Sequence, residues 1–271
     1  MASINTNMSA TLAVSSLNKT TDEMTSVLTA MSSGRSINSA SDDAAGLAVY
    51  TAMSVDYAAW DQAGDNAEVA TAILETADGG LAEIADILER MYELASQASS
   101  GSVTDTERAY LDDEYTELSS QIDSIVESTT YFDTSLLDGT YSESFTVSAD
   151  SAAAPIDVTL GQAYDTTGLA IAAGIGSSAN ATTALGEIEA AIEVVSGGRA
   201  SVGAMMSRFD YAAGNIETAK TNLEAAMGVY MDADVAALSA EQTELGVKMD
   251  SAIQALSISN ENLEKLSRLL S

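Results

Sequence analysis

This sequence predicts a mainly α fold: a long antiparallel helical coiled-coil rod with a small β-hairpin region, and N- and C-terminal helices that pair. Three observations carry the prediction. First, stepping by seven from Ile188 meets Val195, Val202, Phe209, Ile216, Leu223 and Tyr230, an unbroken apolar heptad stripe. Such a repeat keeps one helix face turned toward a partner helix. Second, a matching stripe runs through Trp60, Ala63, Ala67, Ala70, Leu74, Ala77, Leu81, Ile84, Leu88, Met91, Ala95 and Ala98. Third, the apolar period switches to two after Tyr131, around Pro155, the single proline.

Taken in order, the N-terminal segment places Val14, Leu17, Thr21, Met24, Leu28 and Met31 at alternating three and four spacing, a short seam holding a polar Thr. Gly34 marks its end, and the run Asn38 to Asp43 reads as a spoke followed by helix caps. In the second stripe the first half is alanine, so another backbone can approach closely there. Gly101-Ser102 breaks it, and Thr104-Asp105-Thr106-Glu107 is a capping box opening a third helix with Leu111, Tyr115, Leu118, Ile122 and Ile125 on one face.

Asp138-Gly139 is a hairpin-turn signal. Phe145, Val147 and Ala149, then Ile156, Val158 and Leu160, alternate as half-buried strands, giving a β-hairpin region over about 131–165. Residues from about 161 to 184 are rich in Gly, Ala, Thr and Ser and read as loop. The rod of 188–230 follows; about 43 residues of helix would extend roughly 65 Å. Its second seam position reads Leu185, Ile192, Arg199, Met206, Ala213, Lys220 and Met227, with two cations whose stems can lie along the stripe. A terminal helix closes the chain with Leu238, Gln242, Leu245, Met249, Ala252, Leu256, Ser259, Leu263, Leu266 and Leu270. The order of elements is nearly palindromic. It predicts a discontinuous inner domain of 1–45 with 234–271 and an outer rod domain of 46–233.

Composition excludes whole classes of function. Forty-one acids stand against ten bases, a formal net charge of −31, so nothing here could neutralise phosphates or an anionic membrane surface. The chain has no Cys and no His, which removes thiol chemistry, the commonest general base and the commonest transition-metal ligands. No nucleophile–base pair and no glycine-rich phosphate loop can be assembled, so catalysis, metals and cofactors are not expected. The acidic groups Asp112-Asp113-Glu114 and Asp123/Glu127 lack EF-hand spacing and read as a solvated face. No transmembrane run appears, and the start has neither a basic n-region nor an apolar h-region, so it does not read as a cleavable secretory signal, and an extracellular protein with this start would leave by another route.

The charge is uneven. The stretch 46–233 carries five bases against 31 acids, and no cation occurs between Arg108 and Arg199. This excess of acid reads as adaptation to salty water, dissolved cations supplying the screening.

Several motifs in order resemble bacterial flagellin, the filament subunit: SINTN at 3–7, SGRSINSASDDAAGLA at 33–48, RMYELASQA at 90–98, YFDTSLLDG at 131–139, RASVGA at 199–204, DAD at 232–234 and LSRLL at 266–270. The resemblance spans nearly the whole chain. It implies an inner layer built from both termini, an outer layer of long helices with a β-hairpin, and a short form lacking the variable outer domains. It also implies polymerisation into the extracellular filament of the bacterial flagellum for swimming motility. Where the family usually has Lys the chain has Ser41, and Gly228-Val229-Tyr230-Met231 replaces a stretch carrying Arg, so fewer intersubunit ion pairs are expected.

For a filament subunit the site is its own surface. Residues expected to mediate self-assembly are Val14, Leu17, Met24, Leu28, Met31, Leu238, Leu245, Met249, Ile253, Leu256, Leu263, Leu266 and Leu270. Leu81, Leu88, Ile188, Val195, Val202, Phe209, Ile216, Leu223 and Tyr230 form the rod core. Arg90, Leu94, Gln97 and Glu114 match positions that face Toll-like receptor 5 in flagellins recognised by it; the alternative is that Arg90 only pairs with Glu89 or Glu93. Ser177, Ser178, Thr182 and Thr183 are candidates for O-glycosylation. Implied partners are further copies of the chain, hook-associated junction and cap proteins, the flagellar type III export apparatus and an export chaperone, with no nucleic acid and no membrane. Two rival readings stay open: a hook–filament junction protein of the same superfamily, and a chemoreceptor-like signalling coiled coil.

Overall fold

The computed structural model describes residues 7–150 and 153–270, with only the helical backbone described at Leu266, Ser267, Leu269 and Leu270. Five helices dominate: α1 (Met8–Ser33), α2 (Ala44–Ser99), α3 (Asp105–Ser128), α4 (Ser178–Met231) and α5 (Val235–Leu270). Between α3 and α4 lie β1 (Thr130–Tyr131), β2 (Thr134–Ser135), β3 (Tyr141–Phe145) and β4 (Ile156–Leu160). β1 pairs antiparallel with β2, and β3 with β4 in the register Tyr141 opposite Leu160. The chain forms two compact units. One gathers residues up to Val55 with those from Asn222 onward, and the other is Asp56–Thr221. The divisions fall inside α2 and α4, not at the helix boundaries near 45 and 234 that the palindrome suggested.

The unit Asp56–Thr221 is a rod with a continuous dry core. Along α2, Leu74, Ala77, Leu81, Ile84, Leu88 and Met91 have no exposed surface, and Ile188, Val195 and Phe209 of α4 are equally buried in the same cluster. Sealing each such Leu or Ile contributes about 1.5–3 kcal/mol. α3 adds Tyr115, Ile122 and Val126. Its start is the expected capping box: Thr104 accepts the Glu107 amide while the Glu107 carboxylate accepts the Thr104 amide at 2.9 Å. These bonds hold the Glu107 carboxyl below its ordinary pKa. Gly80 on α2 is dictated by close approach, because a Cβ there would lie 2.8 Å from Thr129 Oγ1 and 2.9 Å from Leu137 Cδ1.

Several sequence expectations shift here. The helix α4 begins at Ser178, ten residues before Ile188, so the segment read as loop ends at Ser177. The heptad core continues backward through Ala181 and Ala184, both fully buried, where the side chains were too small to register as a stripe. At the other end Leu223 is half-buried and Tyr230 is 42% exposed. Both residues lie in the other unit, beyond the last buried stripe residue of the rod, Ile216. The first long strand is Tyr141–Phe145, leaving Val147 and Ala149 beyond it. Gly139 takes a left-handed φ, yet the hairpin turn between paired strands is Phe132-Asp133.

In the other unit, α1 and α5 run antiparallel. Asn7 caps α1 by accepting the Ala10 amide at 3.1 Å and accepts the Ser259 hydroxyl at 3.0 Å. At the far end of α1, Gly34 adopts φ 69° and its amide closes on Ala30. The Ala233 amide donates to the Gly34 carbonyl at 3.0 Å, and the backbones of Arg35 and Asp232 form an isolated antiparallel β-bridge. Asp42 then accepts the amides of Asn38 and Ser39, which lowers its pKa, and Asp43 accepts those of Ala45 and Gly46 at the head of α2.

Candidate functional site

The terminal helices carry the expected self-assembly residues. On α5 the predicted seam turns toward the protein: Leu245 is buried, and Leu238, Met249, Leu256 and Leu263 are half-buried. The side chains of Leu266 and Leu270 lie outside the described residues, as does SINT at 3–6. On α1 the buried face is displaced by one position from the expected one. Leu17, Met24 and Met31 lie on it, but Thr20, Val27 and Ala30 form its core, while Val14 and Leu28 are 41% and 45% exposed. The sequence reading placed Thr21 in the seam, one position from Thr20, whose hydroxyl is satisfied within the helix by Ser16 O at 3.0 Å.

The pair therefore closes one seam and leaves a second set of apolar groups in water. Met8 and Leu12, one helical turn apart, are 79% and 73% exposed; on α5, Val235, Val247, Ile253 and Ile258 are between 51% and 62% exposed. A groove of about 310 Å³ also opens between the C-terminal half of α1 and the first turns of α5, over Val27, Ala30, Ala237 and Leu238.

The Arg90 group is only partly assembled as expected. Arg90 donates to Glu114 Oε1 at 3.0 and 2.8 Å and to Glu93 Oε2 at 2.9 Å, which raises the guanidinium pKa. Gln97 is exposed, but Leu94 is 1% exposed and belongs to the core beneath. Leu94 thus lies apart from the exposed Arg90 and Gln97 with which its spacing had grouped it. Tyr92 donates to Glu189 at 3.1 Å and ties α2 to α4.

What sequence reasoning missed is the work done by Asp112, Asp123 and Glu187. Asp112 accepts the Ile175 amide at 2.6 Å, Asp123 accepts the amide and hydroxyl of Thr166, and Glu187 accepts the amides of Ala172 and Ala173. Three carboxylates thus fasten the segment between β4 and α4 onto the rod. Their partners are main-chain amides, which leave no trace in a sequence. Beneath them the Tyr115 phenol is buried and without a protein partner, and desolvation, then Glu187 and Asp112, push its pKa up to about 12. Of the glycosylation candidates, Ser178 donates to Ser99 O, and Thr182 and Thr183 donate back into α4, all exposed; only Ser177 precedes the helix.

Comparison with known proteins agrees with this architecture. A family model described as the bacterial flagellin N-terminal helical region matches residues 4–142, and one described as the C-terminal helical region matches 185–270. A flagellin of Listeria innocua is 32% identical over 98% of this chain and 99% of its own length, and a flagellar filament 30.7 kDa core protein of Treponema maltophilum is 30% identical over 99% of each. The crystal structure of Bacillus cereus flagellin superimposes with a TM-score of 0.52 at 29% identity, covering 60% of this chain and 94% of the other. A putative flagellar hook-associated protein from Vibrio parahaemolyticus shares the fold, with a TM-score of 0.58 at 17% identity. With both helical halves matched in order and a relative aligned end to end, the chain belongs to the bacterial flagellin family.

Proposed function

We propose that this chain is a structural subunit that polymerises into the extracellular flagellar filament for swimming motility, and that the paired terminal helices drive the polymerisation. The observation behind the assignment of the terminal helices is that α1 and α5 bury one seam against each other while Met8, Leu12, Ile253 and Ile258 stay in water. Covering those groups requires other chains. A repeated contact between unlike surfaces of identical copies, without closure, generates a helical polymer. Leu17, Met24, Met31, Leu245, Met249, Leu256 and Leu263 then act by holding the pair together, and Val14, Leu28 and Ile253 act by contacting neighbours. Deleting residues 234–271 should leave a soluble chain that does not polymerise at any ionic strength. Filaments of normal length from the truncated chain, seen by negative-stain microscopy, would refute the assignment.

The family supplies the further partners: hook-associated junction and cap proteins at the filament ends, the flagellar type III export apparatus, and an export chaperone bound to α5 before assembly. For Toll-like receptor 5 the face is Arg90, Gln97 and Glu114, with Leu94 supporting it from below. Exposed hydroxyls at Ser177, Thr182 and Thr183 are the places for surface sugar. The hook-associated reading rests on a likeness of fold alone.

A further inference from the structure

We propose that Phe132 is the knob of a contact between copies of this chain, seated in the groove between α2 and α4 of the neighbouring copy. This rests on the filament-subunit reading and adds a specific contact within the rod unit. The observation is a turn built from the wrong residues. Phe132 and Asp133 join β1 to β2 with φ of 44° and 63°, both left-handed, in a two-residue connection. That turn geometry is suited to Asn-Gly; a bulky side chain there presses its Cβ against its own backbone. Phe132 gains little from its own chain in return. It is 86% exposed, and its ring meets the ring of Tyr131 edge-on, with centroids 4.8 Å apart. Backbone strain retained at an exposed aromatic tip, with no compensating burial inside the molecule, points to a contact outside it.

The occupant follows from the setting of the turn. In a homopolymer the neighbours of the rod unit are copies of itself, and Asp56–Thr221 carries five Lys and Arg against 29 Asp and Glu, a net charge of −24. Arg90, Arg199 and Lys220 are already bound to acids of their own unit, Arg108 is buried against the carbonyls of Ala98 and Val103, and Arg208 is the remaining, exposed cation. Ion pairs between such units are therefore scarce, and apolar contact is what remains. The same unit offers a receiving surface. A groove of about 550 Å³ runs between α2 and α4, with Ala67, Thr71, Ala72, Met206, Phe209 and Ala213 along it and Glu68, Glu75, Ser207 and Asp210 as its polar lining. Alanine and threonine allow a ring to lie close to the helix, and the Met206 thioether adapts to its edge. Knob and groove are different surfaces of one unit, so the contact propagates from copy to copy.

The test uses the purified full-length chain, whose lack of cysteine permits site-specific coupling. Phe132→Asn with Asp133→Gly relaxes the turn, so the melting temperature of the monomer should rise, by about 2 °C. The critical concentration for polymerisation, read by sedimentation, should rise on the order of tenfold or more. In a second chain, Phe132→Cys with Ala72→Cys should give disulfide-linked ladders when polymer is oxidised and none from dilute monomer. Unchanged critical concentration, a lowered melting temperature, or absence of the ladder would each overturn the proposal. If the unsubstituted chain forms no polymer at all, the filament reading fails first and takes the proposal with it.

Discussion

The rod unit and the terminal unit are both built from long apolar-striped helices, yet they treat their stripes differently. In the rod, alternate turns of α2 and α4 reach zero exposure, and α3 and the β strands cover flanks that two helices alone would leave open. In the terminal unit, Val27, Ala30, Ile37, Met231 and Leu245 are the buried apolar side chains among the described residues, and larger groups such as Leu12 and Ile258 remain exposed. The difference is a matter of geometry. Two helices can hide one face of each, whereas three helices and a strand pair can enclose a stripe completely. The rod is therefore a finished core, and the terminal pair is half of one.

The largest effect expected from this contrast is at Phe209, which is fully buried and meets Phe145 edge-on with centroids 5.9 Å apart. Phe209→Ala should destabilise the rod by about 3–5 kcal/mol in chemical denaturation. Leu245→Ala, in the shallower terminal seam, should fall near or below the lower end of the roughly 2–5 kcal/mol range for such truncations, since its surroundings can collapse or admit water. Equal losses at the two sites would mean that the terminal pair is as closed as the rod.

A smaller effect separates the rod from the terminal helices by pH. Tyr115 is buried in the rod with its pKa raised to about 12, so the neutral phenol is favoured in the folded state. Its contribution is complete below pH 10 and is lost as the pH rises from 10 through 12. Tyr115→Phe should flatten that alkaline decline, and because the phenol has no protein partner, it should change neutral-pH stability by no more than about 1 kcal/mol. Thermal melts of both chains across this pH window check the point. The smallest effect on the monomer is expected at Ile258, 60% exposed on α5. Ile258→Asp should shift monomer stability by less than about 0.5 kcal/mol while blocking polymerisation, and light scattering against helical content distinguishes the two. Normal polymerisation of that variant would remove Ile258 from the assembly surface.

Much of this was legible in the chain. The stripe from Trp60 to Ala98 and that from Ile188 to Ile216 were read residue by residue, because large apolar groups at helical spacing leave few alternatives. The capping box at Thr104 and the stop at Gly34 were legible for a similar reason, each being a local rule. The reading failed where side chains were small or partners were main chain. Ala181 and Ala184 hid the first turns of α4, Thr20 was not told apart from Thr21 beside it, and the grip of Asp112, Asp123 and Glu187 on the 166–175 segment could not be foreseen.

The sequence by itself determined which faces are apolar, where most helices start and stop, and the strong excess of acid along the rod. Those properties follow from covalent order and from the fixed repeat of the α-helix. Only the tertiary structure decided which striped face is buried and which stays wet. Leu94 sank into the core while Arg90, one turn away, stayed outside with Glu114. Burial depends on what else is present to cover a face, and that is a property of the assembled elements, not of any one of them.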